Sequence, residues 1–356
     1  MAYTTIDDPT AHFQAKQYTG NGSTGQSITF DGTSNLQPDW LWNKVVSASD
    51  SHAWFDSTRG VNKILFCNNT LAEGTDGNGN IGSFDSNGFT VGGNQYYANN
   101  NGATQMTWAW KANGGTTSSN SDGNITSTVQ ANTTAGFSIV TWTADGGGSK
   151  AVGHGLGAIP KMIITKNRTD NSTNWQIYHG ANTSDPETEV IYFTNAATQD
   201  YDGFMADTAP TSSTFRVGGD GSMNGTSGKN IIAYCFAEIK GYSRFGSYKG
   251  NGGATHGTFV YTGFRPAFLI IKGSDSGNRE WFIFDNKRDV INPVDTYVKA
   301  ESTDANANSN FADFGANGFK IRSEGASYNS DGGDFIYMAF AEHPFVSSEG
   351  VPKTAG

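Results

Sequence analysis

Charge is scarce in this chain of 356 residues, where Asp, Glu, Lys and Arg together make up 16%. What there is leans acidic, with 23 basic against 33 acidic side chains and a formal net charge of −10. No basic run of five or more residues occurs. A nucleic-acid surface built on phosphate neutralisation is therefore disfavoured. Cysteine is nearly absent. Cys67 and Cys235 are expected to be two buried free thiols of a chain made in a reducing cytoplasm, with a disulfide between them as the alternative. No stretch approaches the roughly 18 apolar residues that a spanning helix needs, and the opening MAYTTIDDPT has neither the basic start nor the apolar core of a secretory signal. Helix signals are poor throughout. The six His show no ligand-like spacing, and there is no Cys/His cluster, nucleophile elbow or phosphate loop. No catalytic residue, metal or cofactor is expected.

Glycine and aromatics are plentiful instead: 46 Gly, and 13% Phe, Trp and Tyr. The aromatics argue against disorder, because they supply apolar surface that offsets chain entropy. Short aromatic and β-branched runs between Gly- and Asn-rich turns point to an all-β chain. One figure recurs three times. Residues 263–272 read Gly-Phe-Arg-Pro-Ala-Phe-Leu-Ile-Ile-Lys, followed after a polar turn by Arg-Glu-Trp-Phe-Ile-Phe-Asp at 279–285. Residues 159–179 and 37–56 repeat it, each a Pro-led apolar strand ending in Lys, a polar loop and a second strand. The pairs end at Asp56, His179 and Asp285. Matching Trp54, Trp175 and Trp281 instead shifts the register by two, which keeps each side chain on the same face.

Each copy opens on a turn, at Tyr18 to Gly22, Trp142 to Gly146 and Tyr248 to Gly252, and closes on a long apolar strand. The distance from Phe89, Phe215 or Phe319 to Ala109, Cys235 or Ala339 is 20 residues each time, across a variable loop. Closing strands this apolar need cover on both faces. The expected architecture is three tandem antiparallel β-sandwich modules, jelly-roll or lectin-like. The expected divisions are a leader or anchor at 1–17, modules at 18–112, 137–240 and 241–345, and a C-terminal tail at 346–356. Residues 113–136, rich in Ser, Thr, Asn and Gly, are expected to form a flexible linker.

Candidate chemistry is sparse. Asp56-x-x-Arg59 and Asp285-x-x-Arg288 are expected to be ion pairs that hold a turn, with an anion or sugar clamp as the alternative. Glu238 and Glu342 end closing strands and suggest the carboxylate pair of a glycosidase, but Ala112 fills that place in the first copy, as at a strand-end surface position. Asp76 to Asn80 resembles a calcium loop without its closing Glu, so a solvated loop is expected. Tyr96 and Tyr97, in a loop of Asn residues, are the candidate ligand-binding pair, placed to stack on sugar rings or else to cover the module's own core. Long Gly/Asn loops on a constant frame suit a binding surface.

The chain resembles a family of tail or virion structural proteins of tailed, mainly marine, bacteriophages. The likeness rests on Ala2 to Pro9 with Phe13-Gln14, Tyr18 to Gly22, Gln37 to Trp42, Val152 to Gly157, Pro160 to Ile164, Tyr234 to Glu238, Tyr261 to Pro266 and Met338 to Glu342. It implies a structural protein of the virion surface, made in the host cytoplasm, rather than an enzyme. A tail-associated fibre or spike touching host glycan or protein is the expected role. A capsid decoration or head-fibre protein is the alternative, since no shaft-like repeat is visible, and a polysaccharide depolymerase is a third reading. Partners would be other virion proteins, and a homo-oligomer, with a trimer as the expected state, suits the symmetry of such particles.

Overall fold

A computed structural model describes residues 2–75, 80–93, 96–253, 255–275, 277 and 279–352. The fold is all-β, and the α-helices among the described residues are the single turns Tyr96–Asn99 and Ala326–Asn329. Three large antiparallel sheets share one strand order. In the first, the order is Phe13–Thr19, Thr104–Trp110, Trp40–Val45, Ala53–Asp56, Lys63–Phe66. In the second it is Phe137–Thr143, Asn230–Phe236, Met162–Asn167, Gln176–His179, Glu189–Tyr192. In the third it is Ser243–Lys249, Asp334–Pro344, Phe264–Gly273, Trp281–Asp285, Val294–Lys299. Each closing strand thus lies inside its sheet, between the leading strand and the Pro-led strand. The hairpins align Trp40 with Asp56, Met162 with His179 and Phe268 with Asp285. The register therefore matches Asp56, His179 and Asp285; Trp54 is not the counterpart of Trp175 and Trp281.

Period-2 alternation sends the side chains of each closing strand into two different cores. Met106, Trp108 and Trp110, then Ile232, Tyr234 and Phe236, then Ile336, Met338 and Phe340 all enter one shared cluster. Their neighbours Ala109, Cys235 and Ala339 face three separate cores, one for each sheet. Those outer cores are closed by smaller layers: Ser27–Thr29 with Gly88–Val91 and Ile81–Asp85 in the first unit, Lys150–Gly153 with Thr214–Val217 in the second. In the third, Val294–Lys299 leads on through Ala307–Gly315 and Gly318–Ile321 to Phe259–Tyr261. The small Ala109, Cys235 and Ala339 on the outer side let each lid approach; large side chains on the inner side, most of them aromatic, fill the space between the three sheets.

That inner space is packed with rings. Trp40 stacks on Trp110 at 4.4 Å and on Tyr234 at 4.8 Å, the latter from the second sheet. Phe340 of the third sheet stacks on Phe13 at 5.4 Å and approaches Phe236 at 6.0 Å. The three sheets close on one another around this cluster.

Two sequence expectations change here. Residues 113–136 are not a free linker, because they contain the strands Ser118–Asn120 and Ser127–Asn132, which extend the second sheet. Gln130 and Asn132 of these strands join the seam between first and second units. Gln130, fully buried, donates to Ser57 and Thr58 and accepts from the backbone N–H groups of Asn113 and Gly115. The segment expected to be a leader is also integral. Its residues from Phe13 onward form the edge strand of the first sheet. Before that, Ile6 is buried in the shared core and Tyr3 donates to Gly263 O at 2.8 Å on the third unit. The residues after 345 are tied to it as well, Ser348 N donating to Asp7 at 2.7 Å.

Because every sheet completes its inner face on the other two, unfolding is expected as one cooperative transition, with tryptophan fluorescence and far-UV circular dichroism coinciding in urea. Trp40→Ala should lower the stability of the whole chain by about 3–5 kcal/mol, shifting the single midpoint rather than splitting it.

Candidate functional site

The Asp-x-x-Arg pairs lie at the seams of the shared core. Asp56 and Asp285 are fully buried and each is paired with its own Arg, at 2.7 Å for Arg288. Each Arg also caps its strand through a backbone carbonyl, that of Trp54 or Ile283. The carboxylates receive one further donor from a neighbouring unit: Tyr234 OH reaches Asp56 at 2.7 Å, and Trp108 Nε1 reaches Asp285 at 3.1 Å. The third equivalent of Tyr234 and Trp108 is Met338, which has no donor to give. There the acceptor is replaced too, by His179, whose Nε2 bonds the backbone carbonyl of Tyr337 at 3.0 Å. Burial pushes His179 down to about 4, so the ring is neutral and donates. The pattern is an intramolecular ion pair, as expected, with no open face for an anion or sugar.

A second threefold set was not singled out in the sequence. Lys44, Lys166 and Lys272 occupy one register position, opposite Met106, Ile232 and Ile336, and all are buried. Burial pushes each down to about 8. Their ammonium groups bond backbone carbonyls: Lys44 reaches Thr303 at 3.2 Å in the third unit, and Lys166 reaches Thr70 at 3.1 Å in the first. Lys272 bonds Arg279 O, whose own N–H donates to Asn195 of the second unit. All three motifs end in this Lys, which was the available signal.

A third set explains the opening turns. Asn99, Asn224 and Asn329, all buried, accept from the backbone N–H of Asn21, Asp145 and Asn251 at 2.9, 3.1 and 3.1 Å. They follow Phe89, Phe215 and Phe319 by 10, 9 and 10 residues, a spacing hidden inside loops of otherwise unlike sequence.

The remaining candidates divide. Tyr96 stands in solvent at 69% exposure, whereas Tyr97 is turned inward, edge-on to Phe66 at 4.7 Å. The two do not form one stacking platform; Tyr97 covers its own unit's core. Glu238 and Glu342 are each paired with an Arg, Arg244 at 3.5 Å and Arg265 at 2.9 Å. Both Cys are free and buried, in different clusters. His154 is buried and pins its turn through Leu156 N and Thr211 O. Residues 76–79 of the calcium-like loop lie outside the described residues. No group of three or more His, Cys, Asp or Glu suited to a metal occurs among the described residues.

Two of the clefts on the described surface join residues of different units. One, of about 500 Å³, lies between first and third units over Phe13, Ala15 and Ala267. Its rim is self-satisfied: Asp31 bridges Lys16 and Lys287 at 3.0 and 2.9 Å, and Asp8 accepts from Thr10, Thr33 and Ser34. The other, of about 380 Å³, lies where the loops after the three outer strands converge, and is lined by Asn68, Thr194, Asn195, Glu280, Lys299 and Glu301 among others. Burial and the nearby Glu280 raise Glu301 from its ordinary 4.5 to about 7, against the pull of the Trp281 N–H and Lys272.

Asp56→Asn should cost about 3–5 kcal/mol by leaving Arg59 buried without its counter-ion, and Tyr234→Phe about 1–3 kcal/mol by removing one donor; urea unfolding at pH 7 measures both. Glu301 binds its proton more tightly folded than unfolded. Its contribution is therefore complete below pH 4.5 and is lost as pH rises to about 7, roughly 3 kcal/mol in all. Glu301→Gln should flatten that part of the stability–pH curve.

No curated protein and no solved structure matches this chain at a significant level. A family model does, over residues 8–344, from the segment before the first strand to the end of the last. The chain belongs to that family, described as a domain of unknown function (DUF7483).

Proposed function

We propose that this chain is a structural protein of the surface of a tailed-phage particle, tail-associated, with its variable loops contacting host-surface glycan or protein. The supporting observation is the separation of frame from loops. Of the residues that carry the phage resemblance, Trp40, Trp42, Tyr234, Phe236, Met338 and Phe340 are buried in the shared core. The loops between strands differ in sequence in the three units and carry exposed side chains such as Tyr96. A frame of this kind holds its shape while loop sequence changes, which suits a surface that meets a varying partner.

A head-decoration role is the second reading, supported by the closed, compact arrangement of the three sheets. In either role the chain brings threefold pseudosymmetry of its own, so a single copy suits a threefold particle site as well as the expected homotrimer does. Light scattering separates these states, at 37.9 kDa for one chain or three times that for a trimer.

Gold-labelled antibody against the chain, applied to intact particles of the phage that encodes it, tests the location by electron microscopy. Label on the tail is the expected outcome, together with competition for phage adsorption by the purified protein. Label over the head would transfer the role to decoration, and unlabelled particles would overturn the virion assignment.

A further inference from the structure

One strand of the third unit departs from its counterparts on the side that faces solvent. The pairing of Val260 with Phe319 repeats that of Ile28 with Phe89 and of Val152 with Phe215, and each pair is buried in its own unit's outer core. The residues on either side face away from that core. They are Ser27 and Thr29 in the first unit and Ala151 and Gly153 in the second, but Phe259 and Tyr261 in the third. Phe259 is 51% exposed and Tyr261 47%, and no other phenylalanine among the described residues is exposed. The frame does not need rings here, because small side chains serve at the same places in the other two units.

The two rings form a level surface. Gly318, opposite Tyr261, has no side chain to rise above them, and Phe259 Cζ lies 3.1 Å from where its Cβ would stand. Tyr3 extends the row, its hydroxyl 3.0 Å from that of Tyr261. Lysines flank both ends. Lys320 stands opposite Phe259 across the strand pair, and Lys240 Nζ lies 4.5 Å from the centre of the Tyr3 ring. The nearby acids are engaged elsewhere, Asp313 by Arg322 at 2.9 Å and Glu238 by Arg244 at 3.5 Å. Neither Lys240 nor Lys320 has an ion pair among the described residues. In a chain of net charge −10 this surface is locally positive.

A pyranose ring has a face of C–H groups and hydroxyls around its edge, so it can lie on an aromatic ring while the hydroxyls stay in water. Rings two residues apart on a strand stand about 6.6 Å from each other along it, within reach of one oligosaccharide. The unpaired ammonium groups at the two ends favour an anionic chain. Nucleic acid is disfavoured, because phosphate tracks call for a longer series of cations than these. We propose that Phe259 and Tyr261, with Lys320 and Lys240, bind an acidic polysaccharide, its pyranose rings stacking on the aromatics and its carboxylates accepting from the lysines. The inference gives the host-glycan reading a surface and a sugar class, and it rests on that reading only for the source of the polysaccharide. Binding is read on the purified chain and location on the particle by gold label, so the failure of one is distinct from the failure of the other.

The probe is a tetramer of β-linked mannuronic acid, titrated into the full chain at low salt and followed by calorimetry and NMR chemical shifts. The matching mannose tetramer lacks the carboxylates and serves as comparison. Saturable mannuronate binding is expected, about tenfold or more tighter than that of the neutral tetramer, with the margin shrinking as salt is added. Phe259→Ser and Tyr261→Thr install the first unit's own residues, so both are expected to fold with a urea midpoint close to the parent's. Each should lose about tenfold or more in mannuronate affinity. Lys320→Thr, which copies Thr90 of the first unit, should reduce the margin over the neutral sugar. Absence of saturable mannuronate binding, equal binding of the mannose tetramer, or unchanged affinity in Phe259→Ser would each overturn the proposal. Tighter binding of a short thymidine oligonucleotide would overturn it in favour of nucleic acid, and an oligomer of the chain that Phe259→Ser dissociates would overturn it in favour of a second copy.

Discussion

Three sheets in this chain are apolar on both faces, and each can cover only one of them with its own smaller layer. The inner faces have to be covered by each other. A cluster with Trp40, Trp54 and Trp110 from the first sheet, Tyr234 and Phe236 from the second and Phe268 and Phe340 from the third is the result. Aromatic rings suit this place because each brings a large apolar area and tolerates tilted or edge-on neighbours, so unlike rings from three sheets still fill the space. The remaining architecture answers to that closure. Closing strands carry large residues inward and the small Ala109, Cys235 and Ala339 outward, and the segment before the first strand folds back onto the third unit.

Repeated Trp, Lys and aromatic donors run in one sense around the three copies, while His179 of the second unit donates the other way, to Tyr337 of the third. The second unit donates to the first through Trp175 Nε1 to Phe66 O at 2.8 Å, through Tyr234 to Asp56 and through Lys166 to Thr70. The third donates to the second through Trp281 Nε1 to Tyr192 O at 2.8 Å. The first donates to the third through Lys44 to Thr303 and Trp108 to Asp285. Each seam thus joins two different faces of the unit. Head-to-tail contacts of this type close into a ring when the rotation permits, and here the ring closes within a single chain. The seam polar groups are buried, so each needs its partner, and the partners fix the relative setting of sheets that the aromatic packing alone would leave adjustable.

Much of the frame was legible in the sequence because its signals are local. Alternation in Gly318–Ile321, the Pro-led apolar runs and the constant spacing to Ala109, Cys235 and Ala339 each report on a strand and its neighbours. The shared core was not legible, because the sequence shows that a closing strand is covered on both faces but not which residues cover it. Residues 113–136 misled for a related reason. Ser, Thr and Asn are as abundant in a solvated linker as in a seam where Gln130 and its neighbours satisfy buried backbone groups. The buried Asn99, Asn224 and Asn329 lay in loops whose variability drew attention to their surface residues. Of the candidate site, Tyr96 alone kept an exposed position. The cleft around Glu301 draws on loops of all three units and has no contiguous signature.

The three copies also serve as controls on one another. A position that departs from its counterparts is structural if a second departure compensates it. Met338 and His179 are such a pair: loss of the donor found in Tyr234 and Trp108 is matched by exchange of the aspartate for a histidine that donates to a main-chain carbonyl. His52 is another, standing where Trp175 and Trp281 stand, and its ring accepts from Trp42 Nε1 at 2.8 Å. Glu301 is a third case, standing where the first unit has Asn68, and Lys299, standing where that unit has Phe66, brings a positive charge beside it. Burial still raises the proton affinity of Glu301, and Lys272 and the Trp281 N–H lower it only in part. Burial of a carboxyl lowers stability once it ionises, and an Asn at the same place, as in the first unit, avoids that cost. A seam between unlike copies is thus repaired by paired departures, each of which is tolerated only because its neighbour has changed with it.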